Sequence, residues 1–504
     1  MTETHDVDPE FLALPHQLLA DAALSRCREL GAENADVRVE RHGSQLLRLR
    51  DGRLEGSSDS QDTGFSVRVV HDGSWGFAAA VELSPEEAAR TAERAVEMAR
   101  LSRPLSTERV VLSDEPVYAD ATYVSAYAID PFTVTEADKV ALLAEWSERL
   151  LAADGVDHVD ASSYAIKEQS FYADLAGTRT TQQRVRIEPE LTVVGIDPQG
   201  GGFETMRTLA PPVGRGWEYL LGTGWDWQSE LAELPELLRE RLLASSVEAG
   251  TYDLVVDPTN LWLTIHESVG HATELDRALG YEANYAGTSF ATFDQLGTLR
   301  YGSELMHVTG DRVTPHGLST VGYDDEGVAA QQWDLIKDGV LVGYQLDRSM
   351  ARLKGFDRSN GCAYADSALH VPVQRMPNVS LQPAVNGPST AELIAGVDDG
   401  LYVVGDKSWS IDMQRYNFQF TGQRFYRIRG GQLAGQVKDA AYQANTTEFW
   451  GSMKGLGGPQ TYLLGGAFNC GKAQPGQVAA VSHGCPAALF HGINILNTVQ
   501  EAGR

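Results

Sequence analysis

The segment Leu261-Trp262-Leu263-Thr264-Ile265-His266-Glu267-Ser268-Val269-Gly270-His271 places two histidines and a glutamate within six residues. Neutral imidazoles suit zinc, and a carboxylate beside them is placed to take a proton from water. In the H-E-x-x-H helix the histidines stand four apart and share one face. His266 and His271 stand five apart, which turns the second by about 140° around a straight α-helix. Both rings reach one ion only if the helix distorts between them. Gly270, immediately before His271, is where a π-bulge or a break is expected. Glu274 and Asp276 follow closely enough to orient the histidines through hydrogen bonds. A solvated helix face accounts for them equally well.

A zinc site with an open position takes three protein ligands. Cys470, His483 and Cys485 are the candidates for the third. Cys470 sits in Asn469-Cys470-Gly471-Lys472, shortly after Gly465-Gly466. Glycine there lets the backbone approach closely, and Lys472 can help keep the thiol ionised. His483 and Cys485 lie together in Ser482-His483-Gly484-Cys485-Pro486. Spacing does not decide between the two cysteines. His483 is also a candidate oxyanion donor, with a structural role as the alternative.

The elements around these residues can be read from periodicity. Residues 16–30 predict an amphipathic helix, with Cys27 on its apolar stripe as a core thiol. Alternation over 35–40, 47–50 and 65–69 predicts strands, and Asp51-Gly52 and Asp72-Gly73 are turn pairs between them. Ser84-Pro85-Glu86-Glu87 predicts a helix start, with the helix running to about Leu101. A second α+β stretch opens near Thr135, with strands near 161–173 and 178–188. Gly200-Gly201-Gly202 reads as a flexible break, and no GK[ST] follows to make it a phosphate loop. A polar helix over roughly 228–245 leads to a boundary near Ala249-Gly250. A strand from Tyr252 to Val256 then precedes a helix started by Asp257-Pro258. Beyond residue 300 strands dominate, with hairpins at Lys337–Val342 and Ile428–Leu433.

The chain has 504 residues, long enough for two or three domains. Its net charge of -28 disfavours nucleic acid and anionic membranes; solubility accounts for it, with steering of cationic peptides as the alternative. The acidic N-terminus is no signal peptide, and no run of 18 apolar residues suggests a membrane span. Four cysteines make no disulfide framework, so a reducing cytoplasm is the expected compartment.

The segment from His266 to Asp276 fits the pattern HExxGHxxExD, and by it the chain resembles the TldD/PmbA family of modulator peptidases, on the TldD side. Gly64–Arg68 with Asp72–Ala78, Asp338–Tyr344, Arg375–Asn378 and Gly400–Val403 extend the resemblance over roughly 35–495. It implies zinc held by His266, His271 and the cysteine of a CGK motif, here Cys470, with Glu267 as the catalytic glutamate. It also implies hydrolysis of unstructured peptides and pairing with a TldE/PmbA-like subunit that lacks the zinc motif. Two departures touch the substrate-facing loops. Cys470-Gly471-Lys472-Ala473-Gln474-Pro475-Gly476-Gln477 carries two extra residues relative to CGKxGQ, and Ser482–Pro486 departs from the commoner GxGxP.

The expected fold is α+β. An N-terminal α/β region has an antiparallel sheet and amphipathic helices. A C-terminal β-rich, barrel-like domain carries the HExxxH helix. The expected division is 1–125, 126–249 and 250–504. The expected function is zinc-dependent peptidase activity, with the peptide bound as an added strand and the chain acting in a heterodimer or a homodimer. The rival is a non-catalytic, TldE-like partner or peptide-binding scaffold, which has no need of His266, Glu267 and His271. A metal-dependent hydrolase acting on a non-peptide amide is a further alternative.

Overall fold

Aspartate-glycine pairs set the frame. In the computed structural model, which describes residues 5–197, 202–473 and 475–503, Asp51-Gly52 and Asp72-Gly73 both have positive φ at each position. That is the turn geometry whose twist suits tight antiparallel hairpins. The pairs join β1 (Asn34–Arg50), β2 (Arg53–His71) and β3 (Ser74–Ala80). On the other side of β1 lies β4 (His158–Asp174), followed by β5 (Arg179–Ile196). One sheet therefore runs across both stretches that flank the expected boundary at residue 125. Short strands Ala121–Val124 and Phe203–Arg207 complete it on β5.

Helices α1 (His16–Glu29) and α2 (Pro85–Ser102) share one core with this sheet, and Cys27 is buried in it. Burial there pushes the Cys27 thiol up to about 12, as expected of a core cysteine. α2 starts at the expected cap, with Ser84 Oγ accepting from the Glu87 N–H at 3.2 Å. A second core joins the other end of the sheet to α3 (Glu136–Leu151) and α4 (Trp227–Leu243). Of the run Gly200–Gly202, only Gly202 lies among the described residues.

The C-terminal half contains a closed five-stranded barrel. Its strands are β6 (Gly250–Val256), β7 (Asp399–Ile411), β8 (Asn417–Arg429), β9 (Ala440–Asn445) and, last in the chain, Ala488–Asn497. The order is β7, β6, Ala488–Asn497, β9, β8, and β8 pairs back to β7 to close the ring. Helix α5 (Pro258–Ile265) leaves the end of β6, capped by Asp257 Oδ1 on the Thr259 N–H at 3.0 Å. Its Leu261 and Ile265 enter the core formed by Phe418, Phe420, Tyr442 and Phe490. The hairpin of β10 (Leu463–Ala473) and β11 (Gly476–Cys485) lies against α5. At the contact a Cβ on Gly465 would stand 2.7 Å from Trp262 Cγ, so only glycine allows this approach. Among the described residues no helix is long and apolar enough to cross a membrane.

One feature of the N-terminal sheet departs from its pattern. The polar positions Asp36, Arg38 and Glu40 of β1 alternate as a solvated face would, yet each is 2–3% exposed. The C-terminal half covers that face. Arg38 pairs with Asp325 at 3.2 Å, and Arg68 of β2 pairs with Glu326 at 2.9 Å.

Candidate metal centre

The distortion demanded by the five-residue spacing is present. The α-helical hydrogen bonding of α5 ends at Ile265, His266–Gly270 form a π-helical turn, and His271–Thr273 a 3-10 turn. The wider turn brings the imidazoles together, with ring centroids 4.7 Å apart. Its backbone is held by side chains. Gln345 Nε2 donates to the Gly270 carbonyl at 2.5 Å, Thr273 Oγ1 to Val269 O at 2.9 Å, and the Tyr301 hydroxyl to Ser268 O. Ser268 Oγ donates to Thr264 O at 2.5 Å and accepts from Trp450 Nε1 at 2.9 Å. Gly270 has an ordinary helical φ of -53°; its need is for space, since a Cβ there would lie 2.6 Å from Met376 Sδ.

Cys470, on β10, completes the group. Its Sγ lies 3.8 Å from His271 Nε2, and one donor atom from each of His266, His271 and Cys470 falls within 4.8 Å of the other two. Ligand atoms of tetrahedral zinc, at about 2.0 and 2.3 Å from the ion, stand roughly 3.5 Å apart. The residue types and spacing fit zinc. Burial opposes ionisation of the Cys470 thiol, but the adjoining His266 and His271 outweigh it and hold the group well below the usual thiol range. Cys485 is placed elsewhere. Its Sγ donates to Pro258 O at 3.6 Å, and burial pushes that thiol well up, so it stays protonated.

Hydrogen bonds fix the imidazole tautomers. The Val379 carbonyl, which can only accept, lies 2.9 Å from His483 Nδ1, so that nitrogen carries the proton. His483 Nε2 then accepts from His266 Nδ1 at 2.7 Å, which leaves the His266 Nε2 lone pair free for a metal. Burial, reinforced by the neighbouring His266, holds His483 well below the usual histidine range and so neutral. On the other side His271 Nδ1 donates to Glu274 Oε2 at 2.8 Å, again freeing Nε2. Glu274 is braced by Arg277 at 3.1 Å. Arg277 also pairs with Glu282 at 3.0 Å, and Lys472 reaches Asp276 at 2.5 Å and Glu282 at 2.6 Å. Of the two readings for Glu274 and Asp276, the orienting role fits Glu274. Asp276 is buried one layer back.

Glu267 faces the group without joining it. Burial would raise its carboxyl, yet His271, His266 and Arg415 together hold it below the usual range, so it is ionised. Arg415 Nη1 pairs with Oε2, and the neighbouring Trp409 side chain also favours the ionised form. Arg415 and Trp409 were not legible as site residues. They come from the hairpin of β7 and β8, where Arg415 has a φ of 64° in the connecting loop. Asp412 shapes that loop by accepting from the N–H groups of Gln414, Tyr416 and Asn417. The Asp-x-x-Arg-x-Asn run hints at a tight turn but not at where it points.

Comparison with known proteins identifies the family. Residues 249–497 match the PmbA/TldA metallopeptidase C-terminal domain, and residues 35–99 match PmbA/TldA metallopeptidase domain 1. A metalloprotease of Methanothermobacter thermautotrophicus is 29% identical over 462 residues, covering 90% of this chain and 93% of that protein. The zinc metalloprotease TldD homolog of Saccharolobus solfataricus is 24% identical over 431 residues, covering 84% and 88%. In fold the chain is similar to TldE from Thermococcus kodakarensis, with a TM-score of 0.73 at 16% identity, over 94% of this chain and 99% of that one. The chain belongs to the TldD/PmbA metallopeptidase family.

Proposed function

We propose that this protein is a zinc-dependent peptidase acting on unstructured peptides, with His266, His271 and Cys470 as metal ligands and Glu267 as the general base. The observation that carries the reading is the convergence of the three donor atoms around a π-helical turn, with both histidines presenting free Nε2 lone pairs. A zinc ion held there supplies Lewis acidity, acidifying water and polarising a carbonyl. The remaining work falls to the chain. Glu267 takes a proton from the attacking water and returns it to the leaving amine. Arg415 fixes Oε2 of Glu267, which leaves Oε1 to carry the proton. His483 and Glu274 orient the ligand rings. Trp409, half exposed beside Glu267, offers a flat apolar surface to a substrate side chain.

Peptide recognition by strand addition suits substrates of mixed sequence. Pairing with a TldE-like subunit, or with a second copy, and a reducing compartment are parts of the same proposal. The fold shared with TldE favours a second reading, a non-catalytic subunit. Metal content separates the two. The peptidase should copurify with one zinc per chain, lose it in Cys470→Ala and keep it in Cys485→Ala. A wild-type chain that takes up no zinc favours the non-catalytic subunit.

A further inference from the structure

We infer that the protein binds a small inorganic anion, of chloride size, in a buried arginine-lined cavity between the N-terminal sheet and the strand that carries Cys470. The cavity has two adjoining lobes of about 10 and 20 Å³, which share Arg184, Arg312 and Tyr364 as walls. Arg186 and Arg375 line the smaller lobe. Four guanidinium groups thus face a space with room for one or two particles the size of a water molecule.

The charges there do not balance from within the chain. Glu168 bridges Arg184 and Arg186 and also accepts from the Tyr364 hydroxyl at 2.7 Å. Asp325 is taken by Arg38 and by the Ala365 N–H at 2.7 Å. Asp324 accepts from the N–H groups of Glu326, Val328 and Ala363. Glu40, which also lines the larger lobe, pairs with Arg38 through Oε1 at 2.7 Å and stands 3.4 Å from His42 through Oε2. Among the described residues no carboxylate lies within ion-pair distance of the other two arginines. Arg312 is 3% exposed, and its side chain makes neither a hydrogen bond nor an ion pair. Arg375 is 1% exposed; its Nη2 donates to the Cys470 carbonyl, and its Nη1 has no partner.

An unpaired guanidinium withdrawn from water loses its hydration without compensation, so buried arginines are nearly always paired. Ordered water can satisfy the N–H groups but cannot cancel the charge. A monovalent anion does both, and the lobes are too small for phosphate or sulfate. Through Arg375 the anion would brace the backbone of Cys470, so the site also bears on the proposed metal centre. Its existence does not depend on that reading.

Diffraction from crystals in which chloride is replaced by bromide tests this directly. The expected result is an anomalous peak between Arg312 and Arg375. A cavity holding only water overturns the proposal. In solution the zinc-loaded protein should melt roughly 1–3 °C higher in chloride than in gluconate at equal ionic strength, with a saturable dependence. Arg312→Met should abolish that difference. Equal melting of the wild type in both salts, or an undiminished chloride effect in Arg312→Met, contradicts the inference. If Arg312→Met fails to fold, the wild-type measurements stand alone.

Discussion

At the scale of single residues, His483 and Arg415 extend the site beyond its motif. His483 sets the tautomer of His266 while touching no ligand position itself. Replacing it with phenylalanine should weaken zinc binding about 10- to 100-fold, as loss of an outer hydrogen-bond partner does elsewhere. Competition with a chelating dye measures this, and unchanged affinity contradicts the role. Arg415 helps hold the Glu267 carboxyl below its usual range. A general base must be ionised, so activity is lost as pH falls through its pKa. Arg415→Met should raise that pKa and move the acid limb of kcat/KM to higher pH. An unmoved limb would show that the guanidinium has no such effect. The sequence marked His266, Glu267 and His271 because they are neighbours in the chain. Spacing left Cys470 and Cys485 level because both are thiols beside a glycine, and only the family resemblance favoured Cys470. In the structure the packing of β10 against α5 separates them, with one thiol at the histidines and the other at the Pro258 carbonyl.

At the scale of elements, the π-helical turn is the feature on which the site depends. It was legible from arithmetic alone, because five residues of α-helix cannot aim two rings at one point. What holds the turn was not legible. Gln345 is 75 residues from Gly270 in sequence, yet its Nε2 bonds both the Gly270 carbonyl and Thr273 Oγ1. Gln345→Leu strands that carbonyl in the core and should cost about 1–3 kcal/mol. Urea unfolding measures the loss, and the zinc content of the folded variant should fall with it. A stable variant with full zinc content would mean the turn persists without this support. The same limit explains Arg415: a tight turn can be read in its loop, but where the hairpin points is decided by the barrel.

At the scale of the whole molecule, the two halves are joined by buried charge. The alternation of β1 correctly gave a strand, but its polar face is buried because the C-terminal half lies over it. Nothing in a local pattern distinguishes a face turned to water from one whose arginines meet carboxylates 287 and 258 residues away in the chain. Burial pushes three carboxyls at this seam upward, Asp324 to about 8, Asp347 to about 7 and Asp325 to about 6. Between about pH 5 and pH 8 these groups bind more protons in the folded protein than in the unfolded chain. Their contribution to stability therefore falls as pH rises through that window. With metal stripped by chelator, the urea midpoint should be lower at pH 8 than at pH 5.5, and Asp324→Asn should flatten the slope. A midpoint that climbs over this range contradicts the assignment.

The central claim is that Glu267 performs the proton transfers at a zinc centre made by His266, His271 and Cys470. Glu267→Gln preserves the shape of the side chain and removes its basicity. Zinc content and hydrolysis of an unstructured peptide, measured on the same preparation, test the claim most directly. The account predicts one zinc per chain and a kcat lowered by about 100-fold or more. Full zinc occupancy with undiminished turnover would contradict it.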